Sequence, residues 1–164
     1  MHELGEEISR DYAGRDLLMI GLLKGSTLFL ADLARALTID VQIDFISISS
    51  YQNRVTTSGS VRLLRDLDAD VFNRDVLVVE DIIDSGLSLG YIRNSLLARN
   101  PKSLAIAALL DKRERRTMEV KAAYIGFEIP DRFVVGYGLD YKQLYRGLPY
   151  VAVLDPDEIA DAEG

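Results

Sequence analysis

Three carboxylates, Glu80, Asp81 and Asp84, follow the apolar run VLVV (76–79), and the chain passes from them directly into Ser85-Gly86-Leu87-Ser88. In an open parallel sheet, ligands bind beyond the carboxyl ends of the strands, and Glu80 and Asp81 fall where such a strand is expected to end. The small residues that follow let backbone N–H groups turn toward one point at the start of a helix beginning near Leu87. That arrangement is an anion pocket, and phosphate is its commonest guest. Carboxylates beside it would repel a bare anion, so they must serve some other chemistry, by accepting from hydroxyls, holding a metal ion or moving a proton. A phosphorylated sugar offers all three. Its 5′-phosphate would lie on the DSGLS amides, its vicinal hydroxyls would face Glu80 and Asp81, and Asp84 would stand close to the anomeric carbon. The plainer alternative is a solvated turn with an acidic helix start favoured by the helix dipole, and strand-acid-acid-Gly alone does not separate the two.

The elements that must position these groups can be read from hydrophobic periodicity. HELGEEISRDYAG is predicted as a helix, with Leu4 and Ile8 on one face and Gly14 as its stop. DLLMIGLL (16–23) is a continuous apolar run of strand length, as expected of a strand covered on both faces. KGS and an amphipathic helix, TLFLADLARAL, complete a β-loop-α unit. VQIDFISISS (41–50) alternates and reads as a strand, QNRVTTSGS (52–60) as a mobile loop and VRLLRDL as a further short strand. After VLVVE comes a helix, LSLGYIRNSLLARN, closed by Asn100-Pro101, then a buried strand, SLAIAALL. YIGFEI, RFVVGYG and YVAVL are strand-like, and the polar tail DPDEIADAEG is expected to fray. Buried strands alternating with helices predict an α/β fold with a mainly parallel central sheet and extra antiparallel strands near residues 41–66.

Composition narrows the function. The chain has 164 residues, 48% of them hydrophobic, which suits one compact domain. It has no cysteine, so a disulfide framework and a cysteine metal site are excluded, and no apolar run approaches the roughly 18 residues of a membrane span. MHELGEEISR lacks the layout of a signal peptide, so a cytoplasmic protein that does not bind membranes is expected. A net charge of −7 repels phosphate backbones, which disfavours a nucleic-acid partner. Small anions remain open, because local amides, lysines and a divalent metal can override the overall charge.

VVEDIIDSGLSL resembles the phosphoribosyl-pyrophosphate motif of type I phosphoribosyltransferases: two acids, two aliphatics, Asp, a small hydroxyl residue, Gly, any residue, then Thr or Ser. Serine stands at 85 and 88, where threonine is common. The resemblance runs from about Asp16 to Pro156. LLKGSTLFLADL, SSYQN, RLLRDLD, LLDKRERR, YIGFEIPDRFVVGYGLDY and YRGLPY resemble, in order, the hypoxanthine-guanine phosphoribosyltransferase branch. It implies the type I phosphoribosyltransferase fold with a small hood and a flexible antiparallel loop. It also implies transfer of phosphoribosyl from phosphoribosyl pyrophosphate to a 6-oxopurine, giving IMP or GMP and pyrophosphate, with Mg2+ and in a homodimer or homotetramer.

By the same resemblance Glu80, Asp81, Asp84, Ser85, Gly86, Leu87 and Ser88 bind phosphoribosyl, and Asp84 accepts the purine N7 proton in the forward direction. Lys24 and Gly25 match the pyrophosphate loop, where the bond between them is often cis, and Arg146 matches an arginine that reaches pyrophosphate. Ser50 and Tyr51 match the start of the flexible loop that closes over the reaction. Lys112 matches the lysine that donates to the purine O6, Phe133 the aromatic stacked on the base, and Val134 the residue whose backbone meets the base edge. Glu80, Asp81 and Asp140 match the magnesium ligands. Each residue has a bland alternative: a solvated lysine, a capping aspartate, a core aromatic, exposed charges. RERR (113–116) reads as a solvated surface turn, and His2 is given no role at a fraying terminus.

The implied reaction passes through an oxocarbenium-like ribosyl centre with inversion and no covalent enzyme intermediate. Relatives usually carry a further N-terminal segment that helps build the hood, so the hood is expected to be incomplete here. Two alternatives stay open: a xanthine-preferring enzyme, and a regulatory nucleic-acid-binding protein on the same fold.

Overall fold

The computed structural model describes residues 1–51 and 60–154. The predicted loop 52–60 lies outside the described residues except for Ser60, and the tail from Asp155 lies outside them altogether. Three α-helices, α1 (His2–Asp11), α2 (Thr27–Ala36) and α3 (Leu87–Leu97), flank a six-stranded sheet of β1 (Leu17–Leu23), β2 (Val41–Tyr51), β3 (Ser60–Arg65), β4 (Asp75–Ile83), β5 (Ser103–Asp111) and β6 (Tyr124–Glu128). Its order is β3-β2-β1-β4-β5-β6. All neighbours are parallel except β2 and β3. A small antiparallel ribbon pairs β7 (Val134–Val135) with β8 (Ala152–Val153). Among the described residues no helix is long and apolar enough to cross a membrane.

The continuous apolar strands are continuous because both faces are covered. Leu17, Met19, Leu77 and Val79 pack with Leu4, Ile8, Phe29 and Leu33 of α1 and α2, whereas Leu18, Ile20, Val76 and Val78 pack with Leu89, Ile92 and Leu96 of α3. Period-two alternation along β1 and β4 therefore feeds two cores, one on each side of the sheet.

Strand order fixes where a ligand can go. From β1 the chain crosses through α2 to β2 on one side, and from β4 through α3 to β5 on the other. The two crossovers diverge between β1 and β4, leaving a crevice at the carboxyl ends of those strands. Lys24-Gly25 follows β1, and Glu80 to Ser88 closes β4.

Three expectations are corrected. β4 does not end at Glu80 and Asp81 but runs on to Ile83, because Glu80, Ile82 and Ile83 continue to register with Ala108, Leu110 and Asp111 of β5. β2 is parallel to β1, and only β3 is antiparallel, since β2 returns by way of the α2 crossover. The cis peptide bond is Leu23–Lys24, one bond before the Lys24–Gly25 bond expected. Glycine at 25 is instead set by a close approach, because a Cβ there would lie 1.8 Å from Asp81 Oδ2. His2 begins α1 and lies 3.4 Å from Glu6, one helical turn on.

Candidate active site

Three adjoining cavities meet at residues 80–84. The first, about 290 Å3, is lined by Asp81, Ile82, Asp84, Lys112, Arg115, Phe133, Val134, Leu139 and Asp140. The second, about 120 Å3, is lined by Glu80, Ile82, Ile83, Asp84 and the loop Ser85, Gly86, Ser88. The third, about 230 Å3, lies between Lys24-Gly25 and Asp140-Arg146, with Glu80, Asp81 and Ser88 in its wall. Asp84 borders the first and second, and Glu80 the second and third. Asp81 borders the first and third. A ligand with three parts could fill all three while its junction rests against these acids.

The acids reach their places through the strand that continues beneath them. Glu80 and Asp81 carry two neighbouring carboxyls, and Glu80 is pushed well above the usual carboxyl range, first by burial and then by Asp81. Asp81 is raised by burial, opposed by a hydrogen bond from Glu80 and by its backbone N–H contacts. Glu80 keeps some exposure as a residue, yet its Oε2 is buried without a hydrogen-bond partner, and Asp84 Oδ1, also buried, has no hydrogen bond but an ion pair with Arg115 Nε at 3.4 Å. A buried acceptor without a donor is expensive to maintain, and Glu80 Oε2 belongs to a residue that walls two of these cavities.

After β4, Gly86 takes φ +84 and caps α3. A Cβ there would lie 2.7 Å from the Met118 carbonyl oxygen, so both backbone conformation and close packing require glycine. Ser85 Oγ accepts from the Leu87 N–H at 3.4 Å. The Leu87 side chain is exposed and lines none of the three cavities, so any part it plays is through its backbone.

In the first cavity Lys112 is 6% exposed, with its ammonium 3.7 Å from Asp131. Phe133 is 44% exposed and meets Tyr141 edge-on at 5.7 Å between ring centroids. The β7–β8 ribbon and the Leu154 N–H, which donates to the Phe133 carbonyl at 2.9 Å, hold Phe133 and Val134 in place. In the third cavity Arg146 pairs with Asp140 at 2.7 Å and donates to the Gly138 carbonyl at 2.7 Å. Lys24 Nζ and Arg146 Nη2 both donate to Gln143 Oε1, at 3.3 and 3.2 Å. Two cations thus converge on one small cavity. Ser50 and Tyr51 end β2, which brings Ile48 to that cavity, but their side chains lie outside the described residues.

The sequence matches a family pattern over most of the chain. Residues 1–142 fit the phosphoribosyl transferase domain. The chain belongs to the phosphoribosyl transferase family. It is 51% identical over 160 residues to the hypoxanthine-guanine phosphoribosyltransferase of Mycobacterium tuberculosis, covering 94% of this chain and 79% of that one. It is 51% identical over 151 residues to the hypoxanthine phosphoribosyltransferase of Escherichia coli, covering 91% and 85%. A Trypanosoma cruzi hypoxanthine phosphoribosyl transferase, solved to study how its C-terminal region affects oligomeric state and activity, superposes with a TM-score of 0.93 at 41% identity. That match covers 99% of this chain and 88% of the other. The fold is the type I phosphoribosyltransferase fold.

The phosphoribosyltransferase site also holds residues that sequence reasoning passed over. RERR is not simply a solvated turn. Arg115 lines the first cavity, 3.4 Å from Asp84 and 3.8 Å from Asp131, and Arg116 is mostly buried against Asp111. Clustered arginines directly after Lys112 were the available signal. Gln143 carried none, being one polar residue in a loop of positive φ.

A magnesium site fits the donor set without closing on it. Among the described residues no three His, Asp or Glu side chains converge on one point. Magnesium needs only one or two carboxylates when substrate oxygens and water complete its shell. The partnerless Glu80 Oε2 and the raised carboxyls of Glu80 and Asp81 are groups whose burial a dication would offset. Asp140 is already engaged by Arg146 and by the Gln143 N–H at 2.8 Å.

Proposed function

We propose that this chain transfers the 5-phosphoribosyl group from phosphoribosyl pyrophosphate to hypoxanthine or guanine, giving IMP or GMP and pyrophosphate in purine salvage. The observation that carries the reading is the position of Asp84 in the wall shared by the Lys112–Phe133 cavity and the Ser85–Ser88 cavity. The base fills the first cavity and the 5-phosphate the second, so the ribosyl C1 falls between them beside Asp84. Pyrophosphate leaves into the third cavity, toward Lys24 and Arg146.

Asp84 takes the purine N7 proton as the N9–C1 bond forms, acting as a general base. Glu80 and Asp81 accept from the ribose hydroxyls and favour positive charge developing on the sugar. Lys112 donates to the purine O6. A buried ammonium rewards a carbonyl oxygen there and opposes the 6-amino group of adenine, so selectivity for 6-oxopurines follows from hydrogen-bond polarity. Phe133 stacks on the base. Glu80 and Asp81 would hold a magnesium ion, with Asp140 toward the pyrophosphate side once released from Arg146, and the ion would supply charge neutralisation for the leaving pyrophosphate. Ser50 and Tyr51 begin the segment that excludes water, and the chain works as a homodimer or homotetramer in the cytoplasm.

A base panel with phosphoribosyl pyrophosphate and Mg2+ tests the reading. Nucleotide should form from hypoxanthine and guanine, with adenine and uracil inert. A folded protein that turns over none of them would refute it, and xanthine as the best substrate would reassign the base.

A further inference from the structure

The segment after β5 lies along the back of the phosphate loop and takes its carbonyls in sequence. The Lys112 N–H donates to the Ile83 carbonyl at 3.0 Å, and Arg116 Nε donates to the Asp84 carbonyl at 3.3 Å. The Ser85 carbonyl accepts from the N–H groups of Thr117 and Met118, both at 3.0 Å, and from Thr117 Oγ1 at 3.2 Å. Arg116 is itself fixed at two further points: Nη1 donates to the Val120 carbonyl at 2.7 Å, and Nη2 pairs with the buried carboxylate of Asp111. One planar guanidinium therefore spans the end of β5, the loop after it and the loop that carries Asp84.

In a trans peptide the carbonyl of one residue and the N–H of the next point in opposite directions. Carbonyls of residues 83 to 85 turned toward this segment force the N–H groups of residues 84 to 86 away from it, toward the cavity that Asp84, Ser85 and Gly86 line. We propose that Arg116, anchored by Asp111, and Thr117 are positioning residues that aim the phosphate-binding amides of the Asp84–Gly86 loop and tie them to Lys112. The proposal rests on the functional reading above and names how its phosphate site is pre-organised.

Lysine cannot replace the arginine, because three acceptors in three directions need the guanidinium fork rather than a point charge. The test compares binding of IMP and of inosine, which differ only in the 5′-phosphate, in the wild type, Arg116→Ala, Arg116→Lys and Thr117→Val. Calorimetry should show IMP binding weakened about tenfold in both Arg116 variants, roughly what one lost hydrogen-bonded contact is worth, with inosine nearly unchanged. KM for phosphoribosyl pyrophosphate should rise more than KM for the base. Added guanidinium should restore part of the loss in Arg116→Ala and none in Thr117→Val. Should Arg116→Ala fail to fold, Thr117→Val still decides, since it deletes a single hydroxyl at the surface; its preference for IMP over inosine should fall about threefold. Variants that keep the wild-type preference, or lose IMP and inosine equally, overturn the proposal. Wild-type protein with no preference for IMP would instead overturn the functional reading.

Discussion

Replacing Glu80 by glutamine should make the ligand-free protein more stable and the enzyme worse. Glu80 Oε2 is buried with no hydrogen-bond partner, and burial together with Asp81 holds its carboxyl well above the ordinary value of 4.5. A buried polar group without a partner costs about 1–3 kcal/mol, and more when charged. Glutamine keeps the shape and removes the charge but leaves a polar atom to satisfy, so only part of that cost returns, about 1–2 kcal/mol. For a chain of this length that corresponds to a rise in Tm of about 3–6 °C. The sign with pH follows from proton counts. Between 4.5 and the raised folded value, the folded chain binds more protons at Glu80 than the unfolded chain, so wild-type stability falls as pH rises through that window. The advantage of Glu80→Gln should therefore be small near pH 5 and larger at pH 8. Differential scanning calorimetry at the two pH values, without ligand, measures it. With Mg2+ and phosphoribosyl pyrophosphate added, the wild type should gain more Tm than the variant. A variant less stable than wild type at pH 8, or equally favoured at both pH values, would refute the idea that Glu80 is kept ionisable for a ligand at the expense of stability.

Asp84→Asn should fold normally by circular dichroism and lose about 10²–10⁴ in kcat, the usual worth of a general base, and unchanged turnover would remove Asp84 from the mechanism. Lys112→Gln should raise KM for hypoxanthine far more than KM for phosphoribosyl pyrophosphate; loss of a charged hydrogen bond predicts about 10- to 100-fold in kcat/KM by steady-state kinetics. Gly25→Ala would place a methyl group 1.8 Å from Asp81 Oδ2, so Asp81 must move, and activity should fall sharply while Tm changes little.

What can be read from the sequence is governed by how local the physics is. The strands β1, β4 and β5 announce themselves because burial on both faces demands unbroken apolar runs, and α2 because one face must be apolar over three turns. The DSG turn is legible because only glycine takes φ +84 comfortably at the start of α3. The end of β4 is not, because strand length is set by the neighbour: Ala108 to Asp111 continue the ladder, and acids at the tip do not interrupt backbone pairing. The direction of β2 is likewise a property of the α2 crossover rather than of its own residues. Arg115 and Arg116 look like solvent-facing charge because their partners, Asp84, Asp131 and the carbonyls of Asp84 and Val120, are brought near only by folding.

Those hidden arginine partners carry the more general point about this site. A motif such as EDIIDSGLS specifies which atoms meet the ligand, but amides placed on a loop bind an anion well only if the opposite side of each peptide is held. Here the holding is done some thirty residues downstream, by a segment that also bears Lys112, the residue proposed to read the base. The Lys112–Phe133 cavity and the Ser85–Ser88 cavity therefore share their support as well as their Asp84 wall. A change in one should be felt in the other as altered geometry at C1, where a misplacement of about 1 Å can cost a hundredfold in rate without loosening either substrate.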